Sequence, residues 1–407
     1  MDMKVVIHRY NSICEPGYID AFKALGIDVV EDCLEMTEKN IPADVRISTI
    51  AELILKNKPM FVFSINFFPY ISDICERLHV MYVCVSVDCP VTELWSTAVR
   101  NDCNRIFLFD RMQYLEVADE NPGHIFHMPL GVNPLIKAQE TGDFKYDVSF
   151  IGSLYNEKNP YADMADALNP RVRGLCEGLL AAQEMLPGQE LLEAVIRQDE
   201  AGREIISEFN KYTPSAVSGI GETIGDIGAF WTVNACLGTE LTVRDRLILL
   251  SSIAESITDL GSLHLFTRSD TSLLSSVSPH TQVHGGISTL TEMPQVISSS
   301  RININTTMRP IRSGLPQRIW DVLGCGGFLL TNAQAEIPEY LVPGTHLEVF
   351  ESPEEACEKV RYYLTHEDER LAIARAGYEE AVLGHTIAVR VKDMITMIMQ
   401  GISPEQT

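Results

Sequence analysis

The segment 301–332, RININTTMRPIRSGLPQRIWDVLGCGGFLLTN, holds four arginines (301, 309, 312 and 318) and one acid, Asp321. The chain of 407 residues carries 32 Lys and Arg against 56 Asp and Glu, a formal charge of −24. Four cations less one acid leaves a local excess of three positive charges on a strongly negative background. Guanidinium groups grip phosphate oxygens bidentately, so the segment suits an electropositive mouth for phosphate or pyrophosphate. The competing reading pairs each arginine with an acid from elsewhere in the chain, and charge alone does not separate the two. Within the segment, Ser313-Gly314-Leu315-Pro316 reads as a loop that opens a helix over Gln317–Leu323, and small residues there leave backbone amides free for an anion. Arg318 and Asp321 are three residues apart and share one helix face. A phosphate grip beside a carboxylate that accepts two hydroxyl bonds is what the diphosphate and ribose of a nucleotide require. Gly324, Gly326 and Gly327 read as a plain helix stop.

Three further positions carry candidate chemistry. Gly152, in FIGSLYNEKNPY, ends a strand and lets backbone approach a phosphate, with Ser153 and Lys158 adding a hydroxyl and a charge; a plain turn is the competing reading. It is neither GxxxxGK[ST] nor GxGxxG. Asp88, in SVDCP, follows a strongly apolar strand and is placed to act as general base toward an acceptor hydroxyl. Its competing reading is an Asx-turn or a helix cap. His8 ends the first strand and is followed by Arg9, Tyr10 and Asn11; it is a second catalytic candidate, against a purely structural histidine. The chain has no DxD pair, no GxSxG and no HExxH. That pattern argues for a diphosphate neutralised by Arg, Lys and helix dipoles, with no metal site.

Parallel strands must position these groups. Apolar runs at Lys4–His8, Ile27–Glu31, Met60–Ser64, Met81–Val87, Arg105–Phe109 and His124–Pro129 alternate with helical patterns, as in a parallel sheet covered on both faces. The alternation resumes at Asp147–Ile151, Leu263–Thr267, Gln282–His284, Ile302–Asn305, Phe328–Thr331 and Leu347–Phe350. The expected fold class is therefore α/β, with two Rossmann-like doubly wound domains facing a cleft. Residues 1–136 form the first domain and 137–385 the second, with a polar linker at Lys137–Lys145 and a helical insertion at about 161–257. That insertion is broken at Asn169-Pro170, Pro187-Gly188 and Pro214. Ser352 caps a helix with Pro353 at its first position, and residues 386–407 form a last helix.

The acidic balance excludes a general nucleic-acid or anionic-membrane binder. Neither a signal peptide nor a membrane span is expected. Ten scattered cysteines without a CxxC pair read as reduced thiols of a cytoplasmic protein.

Along the chain stand NFFPYISDIC (66–75), SVDCP (86–90), CNRIFLFDR (103–111), HMPLGVNP (127–134), DVSFIGSLYNEKNPY (147–161), the segment 301–332, EIPEYL (336–341) and RYYLTHEDERLAIARAGYEEAVLGHT (361–386). On these motifs the chain resembles the CgeB-like glycosyltransferases of the spore-maturation type. The resemblance implies a GT-B fold and metal-independent transfer from a nucleotide-sugar, UDP-sugar first among donors, to a protein or glycan acceptor. In such a protein the C-terminal domain holds most of the donor, and no further cofactor is needed. Asp321 then stands where a carboxylate holds the ribose, Arg318 contacts the diphosphate, and Gly152 with Lys158 resembles the glycine loop and its lysine. Arg309, Arg312, Ser313 and Gly314 complete the expected donor set. Two departures stand out: the first acid of the usual glutamate-x7-glutamate pattern is Ser313, and the usual arginine beside the glycine loop is Ser153. The resemblance also implies that the last helix crosses back onto the first domain. A non-catalytic nucleotide-sugar binding protein and a nucleotide-sugar epimerase are the alternative readings.

Overall fold

Short runs of Val, Ile and Phe, too apolar to leave either face in water, end at glycine, proline or polar residues, and these runs pair as buried parallel strands. The computed structural model describes residues 3–38, 40–137, 144–186, 190–277 and 280–400. Most of the expected Lys137–Lys145 linker, the Pro187-Gly188 break and the residues after 400 lie outside them. The first sheet is built from β1 (Lys4–His8), β2 (Asp28–Asp32), β3 (Phe61–Ile65), β4 (Met81–Val85), β5 (Asn104–Leu108) and β6 (Ile125–His127), in the order β2-β1-β3-β4-β5-β6. The second contains β7 (Tyr146–Ile151), β8 (Leu263–Phe266), β9 (Thr281–Val283), β10 (Ser300–Asn305), β11 (Leu329–Asn332) and β12 (Glu348–Phe350), in the order β12-β11-β10-β7-β8-β9. Every pairing in both sheets is parallel.

The two-residue period of a strand divides the side chains between two cores. In β1 and β3, Val5, Ile7, Phe61, Phe63 and Ile65 enter one cluster, whereas Val6 and Val62 enter the opposite one. A one-residue slip would exchange the two faces, so the register is strongly specified. The first of these clusters also takes Ile387, Val391 and Met394 from the helix Ile387–Gln400, which thus packs on the helix Glu15–Ala24. Each fully buried aliphatic side chain contributes about 1.5–3 kcal/mol, so three of them anchor the chain end firmly.

The strand orders fix where ligands can bind. A doubly wound sheet opens a crevice beyond its carboxyl ends where the order reverses. In the first sheet that point lies between β1 and β3, and in the second between β7 and β10.

Between β7 and β8 runs the helical insertion, with helices that include Pro170–Glu184, Leu191–Gln198, Glu200–Phe209 and Gly238–Ser256. A π-helical stretch, Trp231–Leu237, precedes the last of these. The insertion also grips the first domain. Thr97 N donates to Glu222 O at 3.0 Å, Ile224 N to Trp95 O at 2.9 Å, and Ser96 bridges Thr223 antiparallel. Trp95, buried, lies against Phe230 with ring centroids 4.7 Å apart. The insertion is therefore a strap between the domains as well as an elaboration of the second.

Candidate functional site

At the reversal point of the first sheet, the loops after β1, β3 and β4 meet. Buried Glu15 organises the first, accepting from Tyr10 N at 2.8 Å, Ser12 N at 3.0 Å and Arg9 Nε at 3.1 Å. Asn66, in the left-handed conformation (φ 58°) that asparagine tolerates, ends β3. Its Oδ1 accepts from Val87 N at 3.0 Å, and its Nδ2 donates to Asp88 Oδ2 at 2.7 Å and to the Tyr10 hydroxyl at 3.0 Å. Asp88 is exposed, and Asn66 sets its direction. Burial, with the Asp88 charge second, pushes the Tyr10 phenol far up, so it stays protonated as a hydrogen-bonding group.

His8 lies elsewhere. It is 1% exposed, with Nδ1 2.8 Å from Asp32 Oδ2 and Nε2 3.3 Å from the Tyr70 hydroxyl, which in turn donates to Glu35 at 3.0 Å. Both ring nitrogens are engaged and Phe68 packs edge-on at 4.8 Å, so the imidazole is held inside the first domain rather than offered to the cleft.

At the reversal point of the second sheet, the glycine loop after β7 faces the loop after β10. Gly152 N donates to Phe266 O at 3.2 Å, Leu154 N to Ser269 Oγ at 2.7 Å, and Tyr155 N to Ser153 Oγ at 2.8 Å. Ser153 Oγ donates in turn to Glu157 at 2.7 Å. Tyr155 sits at φ 69°, which turns its ring back over the loop, and Lys158 is exposed one short turn later. One face of the helix Gly238–Ser256 ties these loops together, because Thr242, Asp245 and Arg246 follow at helical spacing. Thr242 Oγ1 accepts from Arg309 N at 3.0 Å, and Asp245 holds the Arg309 guanidinium. Arg246 donates to Ser153 O in one loop and to Thr306 O, at 2.7 Å, in the other.

The arginines of 301–332 are all paired. Arg301 lies 3.9 Å from Asp147, Arg309 pairs with Asp245, Arg312 with Glu116 (2.8 Å) and Glu190 (3.5 Å), and Arg318 with Asp321 (3.0 Å). The excess of charge seen in the segment is thus cancelled by acids from other segments. Arg309 and Arg312 hold the second domain together and to the first.

The Ser313–Gly314 amides do bind an anion, but it is the chain's own. Asp110 Oδ2 accepts from Ser313 N at 2.7 Å and Gly314 N at 2.9 Å, while Oδ1 caps the helix Arg111–Val117 through Gln113 N at 2.7 Å. A Cβ on Gly314 would stand 2.6 Å from Phe109 O, so glycine is what permits the approach. Glu336 closes the same junction: its Oε1 accepts from Arg111 N at 2.9 Å and its own N donates to Ser313 O at 3.1 Å. The expected phosphate role of these two amides is corrected accordingly, since a carboxylate from the first domain fills them.

Arg318 is the second residue of the helix Gln317–Gly324, and Asp321 lies three residues further on. Asp321 is 3% exposed; Gln317 Nε2 and Arg318 Nη1 each donate to one of its oxygens at 3.0 Å. Each oxygen keeps a further lone pair for a hydroxyl. Burial raises its carboxyl above the usual range, opposed by Arg318 and Gln317.

The two sites share one space. Burial pushes the Cys14 thiol of the first domain up to about 12, with further pushes from Asp321 and Asp88. Tyr155 of the second domain is raised by burial and by Asp88, and drawn down by Arg246 and Arg318. Across the domain junction, Cys89 Sγ, next to Asp88, donates to Pro310 O at 3.2 Å, and Gln317 Nε2, which also holds Asp321, donates to Gly131 O at 3.1 Å. Sequence reasoning omitted Asn66, Tyr155 and Arg246. For Arg246 a signal existed: it lies in the buried stripe with Thr242, Leu249, Leu250 and Ile253, where a charge is out of place. Among the described residues no group of three or more His, Cys, Asp or Glu side chains is placed to hold a metal ion, and no helix is long and apolar enough to cross a membrane.

Residues 260–396 match the family described as glycosyl transferase-like. Solved structures similar to the chain include HepE of Anabaena in complex with UDP and glucose, at TM-score 0.55 and 9% identity, covering 98% of this chain and 100% of that one. WaaG, a glycosyltransferase involved in lipopolysaccharide biosynthesis, is similar at TM-score 0.54 and 10% identity over 98% and 100% of the two chains. A glycosyltransferase from Rickettsia africae gives TM-score 0.53 and 12% identity over 98% and 99%. At such identities the likeness establishes the fold, which is GT-B. No curated protein matches the chain in sequence.

Proposed function

We propose that this GT-B chain, whose residues 260–396 match a glycosyl transferase-like family, moves a sugar from a nucleoside diphosphate sugar to an acceptor hydroxyl, without a metal ion. One observation supports the reading: the loops at the two reversal points meet, with Cys89 Sγ after β4 donating to Pro310 O after β10 at 3.2 Å. The exposed carboxylate of Asp88, held by Asn66, in this reading faces the guanidinium–carboxylate pair of Arg318 and Asp321 and the glycine loop. In this reading Asp321 accepts the ribose hydroxyls, and Arg318 with the Gly152–Lys158 loop holds the diphosphate. Fixed positive charge at the leaving diphosphate stabilises the charge that develops as the glycosidic bond breaks. Asp88, oriented by Asn66, takes the acceptor proton, a role worth about 10²–10⁴-fold in rate. His8 supports this side of the cleft by tying the end of β1 to the end of β2 and to the segment after β3.

The complex of HepE with UDP and glucose supports a UDP-sugar as donor and hexosyl transfer as the reaction. The stacked pair Phe266 and His284, with centroids 4.5 Å apart at the carboxyl ends of β8 and β9, is the place we assign to the base. The acceptor we assign is a protein or glycan, and the motifs from 66–75 to 361–386 support a place for the chain beside the CgeB-like group. Ten free cysteines suit a reducing compartment, the cytoplasm. The test is a thermal-shift screen of the purified protein against UDP, GDP, dTDP and their sugars, since a ligand that binds only the folded state raises its melting temperature. Stabilisation by a nucleoside diphosphate, with slow release of free sugar from its conjugate, is expected. Indifference to all of them would overturn the reading.

A further inference from the structure

Arg246 is 7% exposed and, among the described residues, no carboxylate hydrogen-bonds it. Its two guanidinium NH2 groups donate to the Ser153 and Thr306 carbonyls, and its buried Nε–H has no partner. The nearest acids are committed elsewhere, Asp245 to Arg309 and Glu157 to Ser153. The Tyr155 ring covers the guanidinium at 4.8 Å and the Phe150 ring lies at 5.6 Å. Desolvation lowers its pKa to about 10, and the repulsion of Arg318 adds to that, yet it remains a cation at neutral pH. An enclosed cation without a counter-ion is costly and persists where an anion completes it. The location is specific: Arg246 bridges the loops after β7 and β10, the reversal point of the sheet.

We propose that Arg246 supplies the fixed positive charge beneath the glycine loop that the diphosphate of the donor neutralises. It thereby takes the place of the arginine that is Ser153 in this chain. The proposal rests on the nucleotide reading above and adds to it a positioning residue delivered by the helical insertion rather than by the loop. Arg246 acts in two ways. It holds the Ser153 and Thr306 carbonyls away from the phosphates, and its charge acts across the low-dielectric loop, where Coulomb attraction is several times stronger than in water. Bound diphosphate would also relieve the Arg246–Arg318 repulsion.

The experiment compares binding of uridine, UMP and UDP to the wild type, R246K and R246Q by titration calorimetry, with GDP and dTDP series in parallel. The wild type is expected to gain affinity with each phosphate. R246K keeps the charge and is expected to hold the UDP-to-uridine affinity ratio within about threefold. R246Q keeps one donor and loses the charge, and its ratio is expected to fall about ten- to hundredfold with uridine affinity little changed. A purely structural role would weaken uridine and UDP equally, and an unchanged ratio in R246Q would overturn the proposal alone. A wild type indifferent to phosphate number in every series overturns the nucleotide reading and this proposal with it. Should R246Q not fold, the arginine Nε–H resonance of the wild type, assigned by its absence in R246K, serves instead. It is expected to shift with UDP and hardly with uridine, and equal shifts refute the proposal.

Discussion

Asp110 joins the two domains through a carboxylate that is fully buried, and replacing it by asparagine is a sharp test of that joint. One oxygen caps the helix Arg111–Val117, and the other accepts two amides from the second domain, at 2.7 and 2.9 Å. Asparagine has one acceptor oxygen and two N–H donors. If that oxygen keeps the cap, the carboxamide NH2 meets the Ser313 and Gly314 N–H groups donor to donor. Bonds to a charged group contribute about 1.5–3 kcal/mol each, and two buried amides are left unpaired, so D110N is expected to cost about 3–5 kcal/mol at the junction. D110A loses the cap as well, about 1 kcal/mol more. With 407 residues in two domains, a single unfolding free energy is poorly defined, so local opening is the better readout. Hydrogen exchange of peptides covering 313–316 and 111–115 should accelerate about 100-fold or more in D110N, since each 1.4 kcal/mol is a factor of ten. Peptides from β3 and β10 should be unaffected. Exchange in 313–316 within threefold of the wild type would refute the clasp.

W95A removes the aromatic that docks the insertion, at a cost of about 3–5 kcal/mol, and limited proteolysis should cut between Tyr212 and Gly225 faster; an unchanged cleavage rate would contradict the strap. D321N should erase the preference for UDP over its 2′-deoxy analogue, about tenfold or more, as judged by titration calorimetry. Because burial holds the Asp321 carboxyl above its usual range, nucleotide affinity should weaken on acidification at a higher pH than an ordinary aspartate would give. Protonation removes acceptor capacity, so the sign is loss of binding as pH falls, and a pH-independent affinity down to pH 4 would argue against it. D88N should lower the transfer rate about 100-fold or more while leaving donor-induced thermal stabilisation unchanged; a rate within threefold of the wild type removes Asp88 from the proton transfer.

The strands were legible because a parallel strand buried on both faces is a continuous apolar run with abrupt ends. KVVIH stands as a strand over the residues expected, and the other runs agree within a few residues. The cap at Ser352 is equally local: its Oγ accepts from Glu355 N at 3.2 Å. The helices Arg111–Val117 and Met293–Ser298 escaped notice, since each is under eight residues and too short to show a stripe. The site was half legible. Asp88, Gly152 and Asp321 could be placed at strand ends or on a helix face from nearby residues. The partners of the arginines could not, because Asp245, Glu116 and Glu190 lie far away in sequence and only the fold brings them close. Asp110 shows the same limit, since nothing in FLFDR indicates that its second oxygen leaves the domain. His8 ends its strand as read, but the chain beyond it folds over the ring.

The most direct measurement is the hydrogen-exchange footprint of the protein with and without the nucleoside diphosphate that stabilises it best. Slowed exchange in the glycine loop 152–158 and in the helix segment 317–324 is the expected result, because both border the reversal point between β7 and β10. Protection found only on the first domain, or in neither of these segments, would contradict a donor held by the second.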